Sequence, residues 1–390
     1  MKGLPAVFAE WFQARGWQPH PHQLALLKAA EAGRSALLVA PTGGGKTLAG
    51  FLPSLVELAA RPSPGLHSLY VSPLKALAVD IQRNLMLPIQ EMGLGIRAET
   101  RTGDTPYDRR QRQRAHPPQL LMTTPESLAL LLSYPDAAEF FAGLACVVVD
   151  ELHALADSKR GDQLALGLAR LRTLAPAHRR VGLSATVADP RRLQAWLATG
   201  AYAGIKDVSL VEGRPGAAPE VEIVEQEHEI PWAGHMGHFA VAEIYKRILQ
   251  ARTALVFVNT RAQAEIVFQA LWAMNDDSLP IGLHHGSLDI EQRRRIEAAM
   301  AQGSLRAVVA TSSLDLGIDW GAIDLVLQVG APKGASRLLQ RIGRANHRLD
   351  EPSRAVLVPA NRFEALECRA AVEAVKAGGV DAPPAQHPDR

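Results

Sequence analysis

The stretch "ALLVAPTGGGKTLAGF", residues 36–51, decides how the rest of the chain is read. Its first five residues, 36–40, form a short apolar run without polar alternation, the pattern of a strand buried on both faces. Three glycines follow, then Lys46 and Thr47, then the helical-period segment "LAGFLPSLVELAA". Strand, glycine loop and helix start is the order that a phosphate-binding loop requires. The backbone of Thr42, Gly43, Gly44 and Gly45 can cradle phosphates at a helix N-terminus, and Lys46 can reach the terminal phosphates. Thr47 can hold Mg2+ through its hydroxyl. The strict GxxxxGK[ST] pattern begins with glycine where this chain has Ala40, and alanine is small enough to keep the close approach.

A second apolar run, "CVVVDELH" at 146–153, ends in two adjacent carboxylates, Asp150 and Glu151. Side chains alternate at a strand end, so one carboxylate can face a metal while the other faces the attacking water. Hydrolysis of a nucleoside triphosphate needs both roles.

Further runs of the same kind lie at 68–72, 119–123 and 181–185, separated by helical-period segments. This alternation reads as an α/β domain with a mostly parallel sheet covered by helices on both faces. A Gly-, Pro- and Glu-rich break follows. The pattern then repeats at 254–258, 281–285, 307–311, 325–329 and 355–359, without a second glycine loop. The expected organisation is a first domain over 1–205, a linker with one strand over 206–230, a second domain over 231–378 and a tail over 379–390.

The 390 residues suit two or three domains at ~150 residues each. A net charge of +2 names no partner, so any affinity for nucleic acid must come from local clusters. Two cysteines, Cys146 and Cys368, lack zinc-ligand or disulfide spacing, and Cys146 reads as core. No apolar run approaches ~20 residues and the N-terminus lacks a signal sequence, so the expected location is the cytoplasm, off any membrane.

"YVSPLKAL" and "LMTTPESL" each place a hydroxyl residue before proline at a strand end: Ser72 before Pro73, Thr124 before Pro125. Both read as strand, N-cap and helix start. Helix N-termini repeated along one sheet edge suit a run of phosphates, or they are simply good helix starts. Of the basic clusters, 108–114 is a candidate contact and 292–297 a solvated helix face.

In this order, "APTGGGKT", "DELH" and "SAT" (184–186) resemble a superfamily-2 DExH-box helicase, a family of two tandem RecA-like domains. The resemblance implies ATP and Mg2+ as cofactors. It implies Lys46 and Thr47 on phosphate and metal, Asp150 on Mg2+ and Glu151 as general base. His153, Ser184, Thr186 and Gln340 would couple hydrolysis to nucleic acid. "WQPHPHQ" resembles the adenine-reading Q motif, with Gln23 on the base edge and Trp17 either supporting it or in the core. "SPLKAL", "TRTGD" and "TTPESL" resemble motifs Ia, Ib and the one after. "VFVNTRAQAE" resembles motif IV, and "TSSLDLGIDWG" motif V. These imply Ser72, Lys75, Arg101, Gly103, Thr124, Asn259, Arg261 and Thr311 on a single strand of DNA or RNA, and Gly317 and Asp319 near the nucleotide.

"SPLKALAVDIQRNL", "TTPESLALLLS" and "TSSLDLGIDWG" together resemble the Lhr type, the large helicase-related proteins. "GRANHRLDEPSRAVLVPANRFEALEC" resembles its bacterial ligase-associated branch. That family implies a monomer moving 3′ to 5′ on DNA, with DNA or DNA–RNA hybrid as duplex, in repair beside a nuclease and a DNA ligase. It also implies a winged-helix region and later domains beyond the two read here. A clamp that binds without unwinding is the competing expectation.

"QRIGRANHR" (340–348) resembles motif VI, with Asn346 and His347 at positions that depart from the common pattern. A second domain without a phosphate loop can supply arginine to the charge that grows on a γ-phosphate. Arg344 is expected as the finger, Arg341 as a second contact, and Arg348 lies one position late.

Overall fold

The structure, a computed structural model, describes residues 3–198, 206–224, 232, 237–315, 323–345, 351–379 and 381. These form two compact units, one built on residues up to Arg214 except Pro41–Gly44, the other on Pro215–Asp381 together with Pro41–Gly44. Gly317, Asp319, Asn346, His347 and Arg348, for which the sequence raises expectations, lie outside the described residues.

The first unit has seven strands: β1 Ser35–Val39, β2 Ser68–Val71, β3 Ala98–Arg101, β4 Leu120–Thr123, β5 Cys146–Val149, β6 Arg179–Ser184 and β7 Val208–Glu212. Their order is β3-β4-β2-β5-β6-β1-β7, with every pairing parallel. Successive side chains point to opposite faces, and the core shows it. Leu38, Tyr70, Met122, Val148 and Leu183 pack under the helices Lys46–Ala60 and Lys75–Glu91. Leu37, Val71, Leu121, Val147 and Val149 pack on the other side, against helices that include Pro125–Ser133 and Lys159–Leu174.

The second unit has six: β8 Glu220–Ile223, β9 Ala254–Phe257, β10 Ile281–His284, β11 Ala307–Ala310, β12 Leu325–Val329 and β13 Arg354–Val358. They are ordered β10-β11-β9-β12-β13-β8, again all parallel. Its two faces are likewise covered, one by a core containing Val256, Val309 and Leu327, the other by one containing Leu255, Val308 and Val326.

All ten apolar runs are strands. Three further strands lie outside those runs. The region 206–230, read as a linker with one strand, carries two: β7 at the edge of the first sheet and β8 at the edge of the second. β3 is the other edge of the first sheet, as β10 is of the second. β8 alternates charged and apolar residues, with no buried position, and β3 carries Glu99 and Arg101. An edge strand has a neighbour on one side only and tolerates charged residues, so β3, β7 and β8 can lack the continuous apolar signature that the edge strand β10 keeps.

Candidate functional site

In the first unit the sheet order brings the sequence motifs to one edge. β5, β6 and β1 are neighbours, and their C-terminal ends carry Asp150–Glu151, Ser184–Thr186 and the glycine loop. The ladders run on past the strand ends: Asp150 N–H donates to Val71 O at 2.9 Å and Ala40 N–H to Ser184 O at 3.1 Å. The hydrogen-bonded ladder therefore extends to where the motifs begin.

Gly43 and Gly45 have φ of +76° and +67°, the left-handed region that favours glycine. Gly45 is the N-cap of the helix Lys46–Ala60, so the loop delivers the helix N-terminus. Lys46 Nζ donates to Ala40 O at 3.0 Å, folding its ammonium back over the loop. Gln23 is buried. Its Oε1 accepts from His20 N–H at 2.8 Å and its Nε2 donates to Gly45 O at 3.4 Å. The Gln23 amide thus ties the helix Pro21–Glu31 to the glycine loop. Trp17 is half exposed, edge-on to Trp11 at 5.8 Å and beneath the Arg15 guanidinium at 4.9 Å.

Asp150 is 6% exposed. One carboxylate oxygen accepts from the Tyr70 hydroxyl, the other from Glu151 N–H at 2.8 Å. Burial, and then the adjacent Glu151 charge, push its carboxyl up to about 7. Glu151 has φ +47°, the left-handed region, which turns its side chain at the strand end. His153 Nδ1 accepts from Ala185 N–H at 3.3 Å and lies 3.3 Å from Ser184 Oγ, while Nε2 is 3.6 Å from Glu151 Oε2. Because Nδ1 accepts, the ring proton of a neutral His153 sits on Nε2, toward Glu151. One imidazole therefore joins the carboxylate end of β5 to the hydroxyl end of β6. Thr186, the third residue of "SAT", is exposed.

No group of three or more His, Cys, Asp or Glu able to hold a metal occurs among the described residues. Mg2+ does not require one, because it is held through one or two carboxylates with phosphate oxygens and water. Asp150 and Thr47 supply hard oxygen donors. A buried carboxyl raised by desolvation is also a place where a divalent cation relieves the cost of ionisation. These residues fit Mg2+.

The other half of this edge, β3-β4-β2, holds the residues read as nucleic-acid contacts, and the structure sorts them. Thr124 is the N-cap of Pro125–Ser133, its side chain accepting from Ser127 N–H at 3.5 Å. Ser72 is not an N-cap. Its Oγ accepts from Leu74 N–H at 3.3 Å and donates to Leu74 O at 3.0 Å, and the helix begins at Lys75. That local bond holds a turn where a helix start was expected. Lys75 Nζ pairs with Asp104 at 2.7 Å, 3.1 Å from where a Cβ on Gly103 would stand. Arg101 is buried, its Nη1 donating to Arg110 O at 2.9 Å. Arg110 donates to Gly103 O at 2.6 Å, and Arg109 and Arg112 pair with Glu99. Much of the 108–114 cluster thus braces the "TRTGD" loop.

In the second unit, Asn259 and Thr311 follow adjacent strands β9 and β11. Asn259 Nδ2 donates to Ala331 O at 2.8 Å. Arg261 is exposed at the start of the helix Arg261–Ala273. Arg341, expected as a second phosphate contact, is 2% exposed. Its guanidinium donates to Asp315 Oδ1 at 2.8 Å and to Gln328 Oε1, and stacks 4.5 Å from the Phe257 ring centroid. Arg337 donates to the same Asp315 at 2.7 Å. Arg341 is thus held inside its own unit. Arg344, just past the helix Ala335–Ile342, is buried, and Gln340 Nε2 is buried without a hydrogen-bond partner among the described residues. Sequence reading missed Tyr70, Asp315 and Gln328 because only tertiary pairing gives them a role. The 292–297 cluster lies on the helix Ile290–Ala301, where Arg294 and Arg295 are exposed.

Comparison with known proteins agrees with this layout. The DEAD/DEAH box helicase family matches residues 20–193, and the helicase conserved C-terminal domain matches residues 240–348. The chain is 37% identical to a Lhr helicase/probable uracil glycosylase of Mycolicibacterium smegmatis, over 96% of this chain and 28% of that protein. It is 37% identical to an ATP-dependent helicase Lhr-Core of Methanothermobacter thermautotrophicus, over 90% of this chain and 43% of that protein. A solved structure of Mycobacterium smegmatis helicase Lhr bound to ssDNA and AMP-PNP superposes with a TM-score of 0.86 at 37% identity. That match covers 97% of this chain and 51% of that one. The chain therefore spans less than half the length of these curated relatives. With two parallel-sheet units, the motif order on their edges and these likenesses, the chain belongs to the Lhr-type DEAD/DEAH box helicases and carries their tandem RecA-like domains.

Proposed function

We propose that this chain is an ATP-driven motor on single-stranded nucleic acid. The observation that carries the reading is the single sheet edge. There the glycine loop, Asp150–Glu151 and the His153–Ser184 link stand beside Thr124, Lys75 and Gly103. Mg2+ supplies charge neutralisation on the phosphates when bound, held by Thr47 and Asp150. Lys46 binds the terminal phosphates, and Glu151 orients the attacking water and takes its proton. His153 passes a change at Glu151 to Ser184 and Thr186. Arg344 of the second unit stabilises charge on the γ-phosphate. Thr124, Lys75, Gly103, Asn259, Arg261 and Thr311 hold the strand by its backbone, which makes binding salt-dependent and weakly sequence-specific. DNA is the favoured strand, because the Mycobacterium smegmatis relative was solved with ssDNA.

The test is the ATPase rate with and without single-stranded DNA, RNA and a DNA–RNA hybrid. Stimulation by a single strand is expected. Glu151→Gln should lower turnover by ~10²–10⁴-fold while ATP still binds. A rate indifferent to every nucleic acid would remove the motor reading.

The finer reading follows the ligase-associated branch: 3′-to-5′ movement, DNA or DNA–RNA hybrid duplex, and a monomer in the cytoplasm. The setting is DNA repair beside a DNA ligase and a nuclease. A directional strand-displacement assay tests the polarity. The second reading is an ATP-gated clamp that holds a strand without displacing it. ATP hydrolysis without displacement in the same assay would select it.

A further inference from the structure

Tyr70 is a buried polar group that the proposed chemistry leaves without a role. It sits in β2, with 0% of its surface exposed. Its ring stacks on Phe51 of the helix Lys46–Ala60, with centroids 4.7 Å apart and planes at 11°. Its hydroxyl donates to Asp150 Oδ2, across 80 residues of sequence. The Thr47 side chain stands beside the same hydroxyl. The second Asp150 oxygen is held by Glu151 N–H. A buried phenol ring is inexpensive, but its hydroxyl must find a partner. Here its neighbours are the two side chains that fit Mg2+.

We propose that Tyr70 is a positioning residue, whose hydroxyl orients Asp150 relative to Thr47 so that both oxygen donors serve one cation. The proposal rests on the ATP-site reading above. Its physical basis is geometric. An aspartate can rotate about its terminal torsion. The Glu151 N–H restrains one oxygen and the Tyr70 hydroxyl the other, so the carboxylate plane is set before metal arrives. Partners that orient a ligand in this way typically account for about 10–100-fold in metal affinity.

Tyr70→Phe isolates the hydroxyl, since phenylalanine keeps the ring and its stack on Phe51. Binding of a fluorescent ATP analogue is titrated in EDTA and across a Mg2+ series. Mn2+ binding in the presence of ADP is followed by electron paramagnetic resonance. The EDTA affinity is expected to stay within about twofold of wild type. The metal concentration for half-saturation should rise about tenfold, equivalent to ~1.4 kcal/mol, with a matching loss of Mn2+ affinity. In an Asp150→Asn background Tyr70→Phe should add nothing further. Phe51→Leu loosens the ring but keeps the hydroxyl, and should leave half-saturation within about twofold. Equal half-saturation in wild type and Tyr70→Phe overturns the proposal. So does a Phe51→Leu shift as large as that of Tyr70→Phe, because packing would then be the cause. A wild-type chain that binds no ATP analogue in any condition instead brings down the ATP-site reading.

Discussion

Asp150 and Asp315 make an instructive pair. Each lies just beyond a strand at the C-terminal edge of a parallel sheet, and each is nearly sealed from water, at 6% and 4% exposed. Asp315 is met by two guanidinium groups, Arg337 and Arg341. Asp150 is met by a phenol and a backbone N–H, and among the described residues it forms no ion pair. A buried carboxylate matched by arginine is a brace, because its charge is already answered. One left with neutral donors carries an uncompensated cost, which shows as a carboxyl pushed up to about 7. The two aspartates thus differ in their partners: Asp315 pairs closely with arginine, while Asp150 meets neutral donors and feels Lys46 without a close ion pair.

Arginine placement is where this contrast can be broken most forcefully. Arg341 pairs with Asp315, so Arg344 is the arginine of "QRIGR" that the proposal assigns to the γ-phosphate. Arg344→Ala should lower turnover by ~10³-fold or more while ATP affinity changes little. Equal losses in turnover and affinity, measured by steady-state ATPase and equilibrium binding, would make Arg344 a plain binding contact. Next in size is Asp315→Asn. It strands Arg341 in the interior and should cost about 3–5 kcal/mol, read as a lower denaturation midpoint. An unchanged midpoint would mean that Gln328 and the Phe257 ring suffice to hold the guanidinium.

Asp150→Asn should behave oppositely. Without metal, removing a buried carboxylate whose two hydrogen-bond donors are neutral, with Lys46 attracting it without a close ion pair, should leave stability unchanged or raise it by up to ~1 kcal/mol. Turnover is nevertheless lost. A destabilisation as large as that of Asp315→Asn would erase the distinction between the two aspartates.

The smallest expected effect concerns a buried histidine at the opposite edge of the first sheet. His178 Nδ1 donates to Ala175 O at 2.6 Å, and its Nε2 accepts from Arg180 Nε at 3.2 Å. Burial holds its pKa below the usual histidine value of 6.5. The unfolded chain therefore binds the proton first as pH falls. The stability contribution is complete above 6.5 and is lost as pH drops from there toward the folded value. Thermal midpoints between pH 7.5 and 5.5 should fall more steeply for wild type than for His178→Gln. Parallel slopes would show that His178 does not titrate in this range.

Much of this architecture is legible from local pattern. Residues 146–149 and 254–257 are apolar at every position, and both are central strands with every residue buried. The glycine loop, Lys46 and the carboxylate pair are contiguous or nearly so, and their spacing announces their chemistry. The 206–230 break holds two strands where one is expected, because β7 and β8 are edge strands and "EVEI" in β8 alternates charge with apolar residues. Ser72 was misread because a hydroxyl before proline suits two local structures. Its own bond to Leu74 selects the turn.

What the sequence determined by itself was the set of buried parallel strands, their covering helices and the phosphate-binding loop. Those depend on periodicity and on residue types next to one another. Which charge answers which depends on contacts between segments distant in the chain. Tyr70 reaches Asp150 because β2 and β5 pair in a register that sets Val71 opposite Val149. Arg341 reaches Gln328 on β12 and Asp315 beyond β11, far from both along the chain. Strand order and register place such groups within hydrogen-bonding distance, and neither is a local property of the chain. The same arginine type is therefore a brace at 341 and the proposed catalytic group at 344.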